Sequence, residues 1–163
     1  MKRTALLATI LLILGTIGAS AQLRVVVLPF RNMDGKIDYN LWQYELADSL
    51  RNTLLEMDPN EEQYHIVDPD SVEMAIAEFN LDPTNAQYES DVWRAVDLIG
   101  ADKVVQGNFF LRGDRVLMNA YVYDVEFKMA DQVNQAKDIY KSPTTYLSAV
   151  KKMAKLLYPG LAQ

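Results

Sequence analysis

Lys103 to Asp124 reads KVVQGNFFLRGDRVLMNAYVYD. Two runs of β-branched, aromatic and polar residues flank Gly113-Asp114, a dipeptide suited to a two-residue hairpin turn. A turn of that length fixes the register. With Arg112 opposite Arg115, the pairs Leu111–Val116, Phe109–Met118, Gly107–Ala120 and Val105–Val122 fall on one face, which is apolar throughout and needs helices to cover it. The other face pairs Phe110 with Leu117, Asn108 with Asn119, Gln106 with Tyr121 and Val104 with Tyr123. That mixture of amides and aromatics suits partial exposure and contact with a partner.

Downstream of the hairpin, the polar stretch Gln132 to Lys141 predicts a third antiparallel strand at the sheet edge, where lysines and weak alternation are tolerated. No turn signal sets its register. Ser142-Pro143 then opens a last helix with Leu147, Val150, Ala154 and Leu157 inward, stopped by Pro159-Gly160. Upstream, Leu23 to Phe30, LRVVVLPF, is the nearly continuous apolar run of a strand buried on both faces. Asp38 is a candidate cap for a helix carrying Trp42, Leu46, Leu50 and Leu54 on one stripe, closed by Asp58-Pro59-Asn60. Tyr64 to Asp68 predicts a short strand. Asp70 with Glu73 reads as a capping box, worth about 1 kcal/mol, for a helix bearing Val72, Ala75, Ile76 and Phe79. Asn80 to Ser90 is a polar connection, and Asp91 opens a helix with Val92, Val96 and Ile99 that stops at Gly100. The order is β-α-β-α-α-β-β-β-α. It predicts the α/β class: a sheet of about five strands with helices mainly on one face.

The N-terminus carries an export pattern. Lys2 and Arg3 precede the apolar run from Ala5 to Leu14, and Ala19-Ser20-Ala21 offers the small residues a signal peptidase accepts. The apolar stretch spans about 15 residues, short of the roughly 20 a membrane-crossing helix needs. Residues 1–21 are therefore expected to be a cleaved signal peptide and 22–163 a single domain, periplasmic or secreted, with no membrane insertion after cleavage.

Composition narrows the chemistry. The 163 residues are half hydrophobic, with 16 basic and 22 acidic side chains, one histidine and no cysteine. Without cysteine there is no disulfide framework, no thiolate metal site, no Cys nucleophile and no lipid-bearing N-terminal cysteine. A net charge of −6 opposes a nucleic-acid partner, because phosphate-backbone affinity needs a basic surface. No G-x-S-x-G turn, dinucleotide fingerprint or phosphate loop is present, so neither a hydrolase elbow nor a nucleotide cofactor is expected. His65 with Asp68 and Asp70 is the one arrangement resembling a metal or acid/base cluster, although a short strand and a helix cap account for all three. Arg112-Gly113-Asp114 matches an adhesive tripeptide, but turn chemistry alone produces it.

Particular words carry a resemblance: RVVVLPF at Arg24 to Phe30, YHIVD at Tyr64 to Asp68, LIGADKVVQGNF at Leu98 to Phe109 and RVLMNAYVYD at Arg115 to Asp124. In this order they resemble the TolB N-terminal-like domain and its FlgO, CsgG and penicillin-binding-protein-activator relatives, over essentially all of residues 22–163. The chain departs from that pattern at Val125 to Asp131, where relatives usually turn with Asp and Gly; it also lacks the propeller of TolB and the lipid-bearing cysteine of the lipoprotein members. The resemblance implies an α/β sandwich with a mixed sheet, in the bacterial envelope, with a non-enzymatic role in binding or assembly, and it transfers no catalytic or contact residues. The expectation is an envelope protein-interaction module with no catalytic residue, metal or cofactor. Its partner would be another envelope protein or a second copy of the chain. A periplasmic metal-assisted hydrolase and a small-ligand-binding protein are the alternatives. The candidate contact residues are Gln106, Tyr121 and Tyr123 on the open face and Asn134 on the edge strand, which can accept a partner strand by β-augmentation.

Overall fold

The computed structural model describes residues 22–162; the expected signal peptide, residues 1–21, lies outside them. Strand β1 (Leu23–Val27) and the short β2 (Arg31–Asn32) lead through a 3-10 turn (Ile37–Tyr39) to helix α1 (Leu41–Met57). Strand β3 (Tyr64–Ile66), helices α2 (Pro69–Glu78) and α3 (Tyr88–Ile99), strands β4 (Lys103–Arg112), β5 (Arg115–Asp124) and β6 (Met129–Lys141), a second 3-10 turn (Tyr146–Ala149) and helix α4 (Val150–Leu161) follow. The sheet has six strands in the order β3-β1-β4-β5-β6, with β2 pairing β4 beyond the end of β1. The pairings β1–β3, β1–β4 and β2–β4 are parallel, and β4–β5 and β5–β6 are antiparallel. This is the mixed α/β sheet expected from the sequence, with the two-residue β2 as an extra strand.

The hairpin forms in the register its turn dictates, from Lys103 opposite Asp124 to Arg112 opposite Arg115. Gly113 takes the positive φ of 65° that the first turn position demands. On the apolar face, Val105, Phe109, Met118 and Val122 join Val25, Val27 and Phe30 under α1 and α4, which contribute Leu46, Leu50, Leu54, Met153, Leu157 and Leu161. Full burial of each large aliphatic side chain contributes about 1.5–3 kcal/mol. Because β1 is apolar on both faces, a second cover is also needed. Val26, Leu28 and Val104 meet Val72 of α2 and Tyr88, Val92 and Val96 of α3 there. Helices thus lie on both faces rather than mainly on one. The first face is roofed over its full width, whereas the roof on the second is built on β3, β1 and β4.

Several boundaries differ from the sequence reading, each for a local reason. Asp38 lies within the first 3-10 turn, and Asn40, which precedes α1, makes no side-chain cap bond. The cap of α2 is Asp68, whose carboxylate accepts from the Asp70 N–H at 2.8 Å. Pro69 takes the first helical position, where its fixed φ fits and its missing N–H costs nothing, so Asp70 falls inside the first turn. Helix α3 starts at Tyr88 rather than Asp91, and Tyr88 is 1% exposed. After Ser142-Pro143 the chain makes the 3-10 turn, whose tighter winding directs Tyr146 and Ala149 inward and leaves Leu147 exposed. Helix α4 continues through Pro159 to Leu161. Leu157 and Leu161 are both fully buried, which holds this last turn in place.

Strand β6 runs thirteen residues and occupies an edge, as expected. Its register slips twice against β5: between the Met118–Ile139 and Ala120–Ala136 pairs, and between Tyr121–Gln135 and Tyr123–Ala130. Asp138, at φ 54°, sits in the first slip. Asp131 organises the second, its carboxylate accepting from the N–H groups of Val133 (2.8 Å) and Asn134 (3.0 Å) and from the Asn134 side-chain amide (2.6 Å). Hydrogen exchange is the direct check on this architecture. The amides of Lys103 to Asp124 are expected to exchange far more slowly than those of Asn80 to Ser90, and equal rates would contradict a central hairpin.

Candidate functional site

The surface with the strongest recognition chemistry is the second face of β4, β5 and β6. Strand alternation sends Phe110, Leu117 and Tyr121 to it, and the pairing of Leu117 with Tyr140 and of Tyr121 with Gln135 carries it onto β6. The hairpin tip adds two guanidinium groups. Arg112 Nη1 donates to the Tyr140 hydroxyl at 3.2 Å, and the Arg115 guanidinium lies 5.8 Å from the centre of the Tyr140 ring. Lys137 Nζ stands 5.7 Å from the Tyr121 ring centre. Tyr121 and Tyr123 meet edge-on at 6.4 Å, and Tyr123 meets Trp93 of α3 at 5.8 Å. An aromatic row therefore runs from the edge of the second core toward the open part of the sheet. Burial, and for Tyr121 the neighbouring Asp138 carboxylate, pushes both phenols above their ordinary pKa. They remain neutral hydroxyl donors at physiological pH.

The structure divides the four candidate contact residues. Gln106, Tyr121 and Tyr123 share the second face, as the hairpin register requires. Gln106 is only 9% exposed, however, and its side-chain nitrogen has no hydrogen-bond partner. Tyr123 is half-buried against the second core, whereas Tyr121 belongs to the open part of the face. Asn134 lies elsewhere. It is held by Asp131 and packs over Gly160 of α4, where an added Cβ would lie 3.0 Å from the Asn134 Cβ. Phe110, Arg112, Arg115 and Tyr140 complete the surface and were not singled out from the sequence. Tyr140 could be placed there only with the β6 register, which the two slips conceal.

The alternative cluster is not assembled. His65 Nδ1 lies 2.6 Å from a Glu61 carboxylate oxygen, and Asp68 is occupied as the α2 cap. Among the described residues no group of three His, Asp or Glu side chains could hold a metal ion. No described helix is long and apolar enough to cross a membrane.

No family model and no curated protein matches this chain in sequence. Solved structures similar to it include the LpoB C-terminal domain from Escherichia coli, with 19% identity over 79% of this chain and 89% of that one and a TM-score of 0.53. The NMR structure of E. coli LpoB is similar at 18% identity over 79% of this chain and 61% of that one, again with a TM-score of 0.53. TolB from Acinetobacter baumannii is similar at 13% identity and a TM-score of 0.48, covering 87% of this chain and 29% of TolB. At these identities the likeness to LpoB is one of fold: the chain has the α/β architecture of the LpoB C-terminal domain.

Proposed function

We propose that the chain is a TolB N-terminal-like, non-enzymatic module of the bacterial cell envelope that binds another protein through the second face of β4, β5 and β6. The observation that carries this reading is one open face beyond the α2–α3 roof that bears Phe110, Tyr140, Arg112 and Arg115 at the hairpin end and Tyr121 with Lys137 further along. Tyrosine and arginine are enriched in the desolvated centres of protein interfaces, where stiff rings and forked guanidinium groups give large contact area for little lost entropy. The fold shared with LpoB and the ordered words from Arg24 to Asp124 support the TolB-like reading. The export pattern of residues 1–21 supports a periplasmic or secreted location. Docking by strand addition to β6 is the weaker mode, because its two slips break the row of backbone groups that a partner strand needs.

The test is capture from envelope extracts with the wild-type chain and with two variants, Tyr121→Ala/Tyr140→Ala and Arg112→Glu. Truncating partly exposed side chains is expected to lower stability by about 1 kcal/mol or less per site. A protein retained by the wild type is expected to be lost from both folded variants. If the ligand is a second copy of the chain, sedimentation would show the variants dissociating instead. Unchanged capture together with unchanged self-association would rule this face out.

A further inference from the structure

A cleft of ≈ 380 Å³ opens between α1 and α2, beside Pro29, a volume within the range of pockets that hold small ligands or single side chains. Its position follows from the topology. The chain leaves β1 for β3 by way of α1 on one face and leaves β3 for β4 by way of α2 and α3 on the other, so the two helices diverge at the carboxyl ends of the parallel strands, where open α/β sheets place their ligands.

The walls are apolar, formed by Ala47 from α1, by Val72 and Ile76 from α2, and by Leu81. Two carboxylates, Asp48 and Glu73, border it from opposite helices, and both residues are exposed. The Tyr44 hydroxyl beside them is held above its ordinary pKa by burial, then by the carboxylates of Asp82 and Glu73. Arg51 is the balancing cation. It is 7% exposed, holds Asp48 at 2.5 Å and donates to the Val27 carbonyl at 3.3 Å, yet its Nε–H has no partner. An anionic ligand would face these carboxylates, and the helix end that could attract it is already capped by Asp68.

We propose that this cleft binds the side chain of a lysine or arginine carried on an extended segment of a partner protein. Its methylene stem lies along the apolar walls and its charge sits between Asp48 and Glu73. A peptide is favoured over a free amine, because its flanking residues add apolar contact with the walls that a free amine lacks. This site is independent of the sheet face proposed above.

Backbone-amide NMR of the chain, titrated with the capped tripeptides Ac-Leu-Lys-Leu-NH2 and Ac-Leu-Glu-Leu-NH2 and with hexylamine, tests the proposal. The lysine peptide is expected to bind with a Kd of order 1 mM, shifting amides of Ala47, Asp48, Glu73 and Ala77, with the glutamate peptide and hexylamine at least about fivefold weaker. Glu73→Gln should weaken the lysine peptide by a similar factor. Ala77→Trp, at an exposed helix position bordering the cleft, should abolish its shifts. Tyr121→Ala/Tyr140→Ala should leave it unchanged, which keeps this test separate from the sheet-face reading. Equal shifts from both peptides, equal binding of hexylamine, no effect of Glu73→Gln, or no localised shift in the wild type would each overturn the assignment.

Discussion

Gly107→Val is expected to destabilise the chain by about 3 kcal/mol, although valine is a better strand former than glycine. A Cβ at Gly107 would lie 2.2–2.5 Å from three carbons of the Phe30 ring. Phe30 is fully buried, so the ring has nowhere to go without opening a void elsewhere. Strand propensity spans only about 1 kcal/mol across residues, so overpacking decides the sign. Urea unfolding checks it. Phe30→Leu in the same chain should recover part of the loss, making the double variant less destabilised than the sum of the singles. An unchanged midpoint for Gly107→Val would show that the ring is not seated on the glycine.

Asp58→Ala carries the second large effect, also about 3 kcal/mol, because three buried or partly buried donors lose a charged acceptor at once. Asp58 is 6% exposed and closes α1. Its carboxylate accepts from the N–H groups of Glu62 (3.0 Å), Gln63 (2.8 Å) and Tyr64 (3.2 Å), turning the chain into β3. Burial alone would raise its pKa, but the three backbone donors outweigh burial and hold the carboxyl below its ordinary value. The sign of the pH dependence follows. A carboxyl with a lowered folded-state pKa contributes fully above its unfolded pKa, near 4, and the contribution is lost as the pH falls through the folded value. The stability gap between the wild type and Asp58→Asn, measured by denaturant unfolding across acidic pH, should therefore narrow below about pH 4. A gap that widened there would contradict the hydrogen-bonded carboxylate.

The hairpin was legible residue by residue because Gly113-Asp114 allows one turn and the turn allows one register. Strand β6 was legible only as a strand. Asp131 and Asp138 each shift the ladder by local bonding and backbone geometry, and no periodicity in the polar run records that. The cap of α2 was misplaced by two residues because a favourable Asp–Glu spacing outranked Pro69, whose demand for the first helical position is the stronger constraint. The aromatic face was half visible, since Tyr121 follows from the hairpin while Tyr140 needs the slipped register. The acidic cleft was invisible. Asp48 and Arg51 look like an ordinary surface pair on a helix, and only the approach of α2 gives them a second wall bearing Glu73.

The place of β1 in the sheet also sets an order of events. It is the first strand of the described domain to be synthesised, yet it must be seated between two strands made later, with Leu23 opposite Tyr64 on one side and Val25 opposite Lys103 on the other. The hairpin needs no sequence beyond its own turn and can close early, whereas β1 can acquire both neighbours only after the chain has grown past Val105. Until then a run of valines waits with one edge unsatisfied, the kind of segment that aggregates or recruits a chaperone. Late docking of β1, after the rate-limiting step, is what this topology predicts, and substitutions at Val25 or Val27 are then expected to raise the unfolding rate more than they lower the folding rate in stopped-flow measurements.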